Sequence, residues 1–162
     1  MTLRVAVLTV SDAASRGDRT DTSGARIEEW ARNHGWPVVS RDTVPDESGA
    51  IVRCLAEWAD GGMVDLIVTT GGTGLSPRDR TPEATRAVID REVPGIPEAL
   101  RGAARGATPR AALSRGVAGL RGRTLIVNLP GSEGGVRDGL SVLEPMIGHA
   151  VAIARGDPVD HT

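Results

Sequence analysis

Residues 68–84 read VTTGGTGLSPRDRTPEA, a glycine-rich loop followed closely by an arginine and an aspartate. Glycine loses the most conformational freedom on folding, so clustered glycines mark a backbone that must bend sharply or approach something closely. The amides of Thr70, Gly71, Gly72, Thr73 and Gly74 can converge into an anion nest, and the threonine hydroxyls add donors. A tight surface turn is the alternative use. The loop's place between an apolar run and a helix start favours a phosphate. It is neither a P-loop, lacking Gly-Lys, nor a dinucleotide fingerprint, lacking GxGxxG. Asp79 beside such a nest is electrostatically awkward, because like charges repel. A bridging Mg²⁺ resolves the conflict, since it takes one or two carboxylates and completes its octahedron with phosphate oxygens and water. Asp46, in PDES, is the second candidate carboxylate. Each aspartate also has an ordinary use: Asp79 as the partner of Arg78 or Arg80 or as a helix cap, and Asp46 as a cap.

Other polar stretches accompany these. Ser11-Asp12 follows an apolar run, and Pro130-Gly131-Ser132 follows another and again offers amides and a hydroxyl. Ser114-Arg115 could hold a further phosphate, arginine being suited to bidentate contact, although a lone arginine is more often solvated. In open α/β sheets, ligands bind beyond the carboxyl ends of the strands. Ser11-Asp12, Asp46, the segment 71–79 and the segment 128–132 all stand at such ends, so the topology predicts one shared site.

The elements that must position them alternate along the chain. Strands are expected at 3–10 (LRVAVLTV), 36–44 (WPVVSRDTV) and 64–70 (VDLIVTT), with two extended runs within 116–131 around Arg121-Gly122. Helices are expected over 24–34, around 51–59 with Ser48 or Asp46 as cap, over 81–91 behind Thr81-Pro82-Glu83, from Pro97, and over 134–154 with a kink at Pro145. SDAASRGDRTDTSG, residues 11–24, reads as a polar loop before its helix. Strands separated by helices give an α/β protein, a three-layer sandwich.

Composition narrows the function classes. The 162 residues fit a single domain spanning 1–162, and the formal charge of −2 gives no general pull toward nucleic acid or anionic membranes. Phe and Tyr are absent and only Trp30, Trp36 and Trp58 remain, too few for a base-stacking platform. All 19 basic residues are arginines, which excludes Schiff-base and P-loop lysine chemistry. The single Cys54 falls among apolar neighbours and reads as a packed thiol. His34, His149 and His161 share no ligand-like spacing. No stretch reads as a signal peptide or a bilayer span, so a cytoplasmic protein is expected.

TVSD, DTSG, VPDE, LIVTTGGTGLSPRDRTPEAT, REVPGIPEALR, ALSRGVAGLRG and LIVNLPGS occur in the order seen in the MogA/MoaB family of molybdenum-cofactor biosynthesis proteins, which the chain resembles from about residue 3 to 154. The resemblance is closest to the molybdopterin adenylyltransferases. It implies a mostly parallel central sheet and a reaction in which the terminal phosphate of molybdopterin attacks the α-phosphate of ATP and releases pyrophosphate. It further implies Asp46 and Asp79 as the catalytic, Mg²⁺-serving carboxylates and Thr70–Gly74 as the phosphate cradle. Ser11, Asp12, Ser114, Arg115, Pro130, Gly131 and Ser132 match substrate-contact stretches. A homotrimer and a downstream molybdenum insertase are the implied partners; the three tryptophans and the last helix supply apolar surface for assembly. Members that bind molybdopterin without turnover, or that serve as an oligomerising scaffold, are the alternative functions. One departure is Glu133, where family members often carry a proline; it adds negative charge near an anionic ligand.

Overall fold

The computed structural model describes residues 1–104, 106 and 108–160. Six strands, β1 (Val5–Val10), β2 (Val38–Val44), β3 (Leu66–Thr70), β4 (Arg91–Glu92), β5 (Ala118–Arg121) and β6 (Thr124–Leu129), form one sheet in the order β2-β1-β3-β6-β5-β4. The first four in that order run parallel, and β5 runs antiparallel between β6 and the short edge strand β4. The helices are α1 (Asp12–Ser15), α2 (Thr22–Asn33), α3 (Ser48–Asp60), α4 (Thr81–Val88), α5 (Gly95–Ala104) and α6 (Glu133–Arg155), with a 3₁₀ turn at Pro109–Leu113.

Alternation along each strand sorts the core into two halves. Val5, Val7, Val68 and Val127 face Ile27, Leu143 and Ile147 of α2 and α6, while Ala6, Leu8, Ile67 and Ile126 face Ile51 and Leu55 of α3 and Val88 of α4. Both faces are covered, which is why β1, β3 and β6 read as mostly apolar runs rather than as alternating ones. The three-layer, mostly parallel architecture expected from the sequence is the one formed.

Several boundaries differ from the sequence-based expectation, each for a local reason. The segment expected as a loop after β1 carries α1, capped by Ser11, whose Oγ accepts from the Ala14 amide at 3.2 Å. Helix α2 starts at Thr22 because Asp21 caps it, accepting from Gly24 N at 2.9 Å. Neither Ser48 nor Asp46 caps α3; Glu47 holds that position without a side-chain bond. Thr81 does not cap α4 either, since Arg80 holds that position, and the Thr81 hydroxyl donates to the Gly71 carbonyl at 2.9 Å. Helix α4 stops at Val88 because Ile89 turns extended and Arg91–Glu92 joins the sheet. Helix α5 begins at Gly95, ahead of the expected Pro97, and α6 continues as one helix through Pro145 behind its cap Ser132.

Trp30 and Trp36 are buried and meet edge to face, with centroids 5.2 Å apart, so they belong to the core and supply no assembly surface. His34 stacks on Trp36 and reaches Glu144, a packing role; His161 lies outside the described residues. The Cys54 thiol is buried and its pKa is pushed up to about 12, chiefly by desolvation, which leaves it unreactive as a nucleophile.

At the amino ends of the strands, the 3 % exposed Asp65 receives Arg4 at 2.8–3.0 Å and Arg155 at 3.0 Å through its Nε. Burial alone would raise this carboxyl's pKa, but the bonds from the two arginines hold it far below the usual carboxylate range. Arg155 also donates to the Thr2 carbonyl at 3.1 Å, so both chain ends meet here.

Candidate functional site

The strand order reverses between β1 and β3: the chain leaves β1 for β2 on one side and returns through β3 to β6 on the other. Such a switch point opens a crevice at the carboxyl edge of the sheet. Ser11-Asp12 leave β1 there, Asp46 leaves β2, the Gly71–Gly74 loop leaves β3, and Pro130–Ser132 leave β6. Because β5 is antiparallel, Ser114-Arg115 before it start from the same edge.

The glycines of the loop are required by geometry. Gly71 and Gly72 have φ of 97° and 68°, a left-handed backbone that side chains rarely adopt. A Cβ on Gly71 would stand 2.2 Å from the Val10 carbonyl oxygen, and one on Gly72 would stand 2.3 Å from Thr81 Oγ1. The loop is pinned on both flanks: Thr70 Oγ1 donates to Pro130 O at 2.7 Å, Gly71 N to Leu129 O at 3.2 Å, and Thr81 N to Gly72 O at 3.1 Å. Among the described residues, the amides of Gly72, Thr73 and Gly74 donate to no protein acceptor. They are the donors left for an anion, whereas Gly71 N and the Thr70 hydroxyl are committed to the fold.

Arg115 is the brace of this loop. Its amide donates to Thr73 O at 2.8 Å, its Nε to Gly74 O at 2.8 Å and its Nη2 to Asp79 O at 2.9 Å, while Nη1 pairs with Glu83. A guanidinium spent on protein carbonyls and a carboxylate differs from the phosphate contact expected for it. Asn128, 3 % exposed, performs a similar service beneath the site: it donates to Thr69 and Thr85 hydroxyls at 3.0 Å and accepts from Val117 N at 3.1 Å. Ser23, in the DTSG stretch, donates to Gly131 O at 2.7 Å and so fixes the β6 loop. The sequence placed Asn128 only as part of the segment 128–132 and gave Ser23 no role; the bracing task of each depends on acceptors and donors that tertiary folding brings near.

On the β1–β2 side of the loop sit Asp12 and Asp46. Asp12 and Asp46 exchange backbone bonds, Asp12 N to Asp46 Oδ2 at 2.9 Å and Asp46 N to Asp12 Oδ1 at 3.0 Å. Arg78 clasps Asp12 with two bonds of 2.8 and 3.0 Å, which lowers the Asp12 pKa. The Asp46 pKa is raised, first by burial and then by the charges of Asp12 and Asp79. Asp79 closes its own turn, accepting from Ser76 N at 2.9 Å, with its carboxylate 2.8 Å from where a Cβ on Gly74 would be. Neither aspartate caps a helix. No group of three His, Cys, Asp or Glu that could hold a metal alone occurs among the described residues. Hard oxygen donors beside free amides fit Mg²⁺ that brings phosphate oxygens with it, because that ion needs only one or two protein carboxylates.

On the other side lies a cavity of about 870 Å³, walled by Gly72–Gly74 and Asp79, by Pro130–Ser132 and the start of α6, and by Leu100, Leu113 and Val142. One half presents amides and a helix N-terminus, suited to phosphate; the other is apolar, suited to a flat ring. Ser114 lines it, whereas Ser11, Asp12 and Asp46 do not. The predicted residues thus form two lobes joined by the glycine loop. The hydroxyls of Ser11 and Ser132 serve as helix caps. Glu133 is neutralised by Arg26, which approaches it at 2.6 Å, on the surface.

Comparison with known proteins gives a match to the family described as "Probable molybdopterin binding domain" over residues 6–149. The chain is 38 % identical over 158 residues to a molybdopterin adenylyltransferase of Helicobacter pylori J99, covering 96 % of this chain and 90 % of that protein. It is 38 % identical over 164 residues to gephyrin of Dictyostelium discoideum, covering 95 % of this chain. The chain spans 23 %, 25 % and 49 % of the length of three longer relatives. Among solved structures, the molybdopterin biosynthesis enzyme MoaB of Thermus thermophilus superposes with a TM-score of 0.91 at 51 % identity, covering 98 % of this chain and 99 % of that one.

Proposed function

The chain belongs to the molybdopterin-binding domain family of molybdenum-cofactor biosynthesis, and from that premise we propose that it is an Mg²⁺- and ATP-dependent molybdopterin adenylyltransferase. The observation that carries the proposal is the row of unbonded amides at Gly72–Gly74, set between the Asp46 carboxylate and the cavity that Asp79 helps to line. In the proposed reaction a terminal phosphate oxygen of molybdopterin forms a bond to the α-phosphorus of ATP. The bond from that phosphorus to the bridging oxygen breaks, and pyrophosphate leaves with the electron pair.

The chain's part is to hold and orient. Amides of Gly72–Gly74 and the N-terminus of α6 receive phosphate oxygens, and the wall of Leu100, Leu113 and Val142 receives a ring system. Asp46 and Asp79 would hold Mg²⁺, which supplies neutralisation of the charge on the phosphates. Arg115 keeps the loop amides aimed. The adenylylated product would pass to a molybdenum insertase. Homotrimeric assembly is part of the proposal.

Incubation with molybdopterin, ATP and Mg²⁺, followed by mass detection, tests the reaction: adenylylated pterin and pyrophosphate are expected in equal amounts. A second reading, molybdopterin binding without turnover, draws on the 51 % identity to a protein named MoaB. It predicts bound molybdopterin and no adenylylated product in the same assay. Failure to bind either molybdopterin or ATP rejects both.

A further inference from the structure

Arg78 makes an ion pair that the proposed reaction does not use. Its guanidinium lies flat against Asp12, Nη2 to Oδ1 at 2.8 Å and Nε to Oδ2 at 3.0 Å, although the two residues are 66 positions apart. Asp12 is thereby saturated, for its Oδ1 also accepts the Asp46 amide at 3.0 Å. Asp46 lies directly behind it, its Oδ2 accepting the Asp12 amide at 2.9 Å, so the carboxylate clasped by the guanidinium stands beside a second one. Arg78 stands on the exposed turn Ser76–Asp79, which is closed by its own two bonds of 2.9 Å, and its side chain is 58 % exposed. An exposed pair on a self-contained turn can open without unfolding anything else.

We propose that the Arg78 guanidinium is a resident surrogate for the divalent cation: it holds Asp12 in the free protein and releases that carboxylate when a metal–nucleotide enters. The proposal rests on the nucleotidyl-transfer function above. A bare divalent ion must break the two-bond clasp and leave the guanidinium without an acceptor. A metal that arrives with a triphosphate brings the acceptor along, because a guanidinium fork binds phosphate oxygens bidentately as it binds carboxylate. Metal and nucleotide therefore bind with positive coupling, and the coupling is reciprocal. Arg78 is a positioning residue in this scheme, acting through Asp12.

The test is Mn²⁺ binding by titration calorimetry or electron paramagnetic resonance, with and without ATP, to the parent and to Arg78→Gln. The parent should bind Mn²⁺ weakly alone and more tightly with ATP. Arg78→Gln should bind Mn²⁺ alone roughly fivefold more tightly, the value of a well-formed exposed pair, and its gain on adding ATP should shrink. Adding Asp12→Asn to Arg78→Gln should cancel the increase. If Arg78→Gln gains no Mn²⁺ affinity while the parent binds Mn²⁺ with ATP, the surrogate role fails and the nucleotidyl-transfer function stands. A gain that survives Asp12→Asn also overturns the proposal, since it would reflect surface charge alone. If neither protein binds Mn²⁺ in the presence of ATP, the surrogate role and the metal–nucleotide function fall together.

Discussion

Asp46 and Asp79 carry similar chemistry in dissimilar settings, and they answer to different measurements. Asp79 is half-exposed on its turn, so Asp79→Asn should leave the fold intact. Loss of a charge that positions a phosphate-neutralising cation should lower turnover roughly a hundredfold to a thousandfold, or ~2.7–4 kcal/mol, in a steady-state assay. Asp46→Asn should lose a similar factor. Asp46 also sets a pH limit. Its pKa is raised by burial and by its acidic neighbours, and the proposed Mg²⁺ would need the ionised form. Turnover should therefore fall on acidification at a higher pH than an unperturbed aspartate would set, and the residual turnover of Asp46→Asn should lack that limb. Two caps would behave otherwise, because asparagine caps a helix as well as aspartate does. Gly72→Ala puts a side chain at φ 68° against Thr81 Oγ1. It should cost about 1–2 kcal/mol of stability from the left-handed backbone alone, read from denaturant midpoints.

Elements, more than residues, decide whether the glycine loop works. β3 and α4 supply its ends, but its span is held from β5's side by Arg115, 41 positions from the Gly74 carbonyl that it bonds. Arg115→Gln removes the fork and its pairing with Glu83. Amide exchange over 72–79 should accelerate, and ATP affinity should drop about tenfold, corresponding to one charge-assisted hydrogen bond of ~1.5 kcal/mol. A phosphate ligand would lose the affinity without the change in exchange. The sequence announced the strands and the loop, because apolar runs and clustered glycines are local signals. Arg115's use was not legible, since its acceptors are backbone carbonyls made available only by tertiary folding. The caps misled for a related reason: Thr81 satisfies the local rule for a helix start, yet Arg80 takes the cap position and the Thr81 hydroxyl, already inside the helix, is turned to donate to the Gly71 carbonyl. Asp46 obeys the same rule and is diverted to Asp12.

For the whole molecule, the proposed trimer is testable by light scattering at micromolar concentration, where a monomer would reject it. Trp30 and Trp36 do not furnish the contact, being enclosed by α2 and α6. Acid stability belongs to Asp65. Its folded pKa is depressed, so its contribution is complete above the ordinary aspartate value of about 3.9 and decays as pH falls below it. Asp65→Asn should lower stability at pH 7 by about 3 kcal/mol, as expected when a buried pair loses one member, and flatten the acid limb of the unfolding profile. Turnover of the folded fraction should stay unchanged, because Asp65 lies across the sheet from the cavity.

The Arg155 bond to Thr2 O has a consequence for how the chain can be rewired. With Thr2 and Arg155 bonded to each other at the edge of the sheet remote from the crevice, the segments that bear them can be joined across a short gap. A circular permutant, with residue 160 tied to residue 1 by a short glycine–serine tether and the chain opened at the exposed turn Gly62-Met63, should keep every strand neighbour and the carboxyl edge of the sheet untouched.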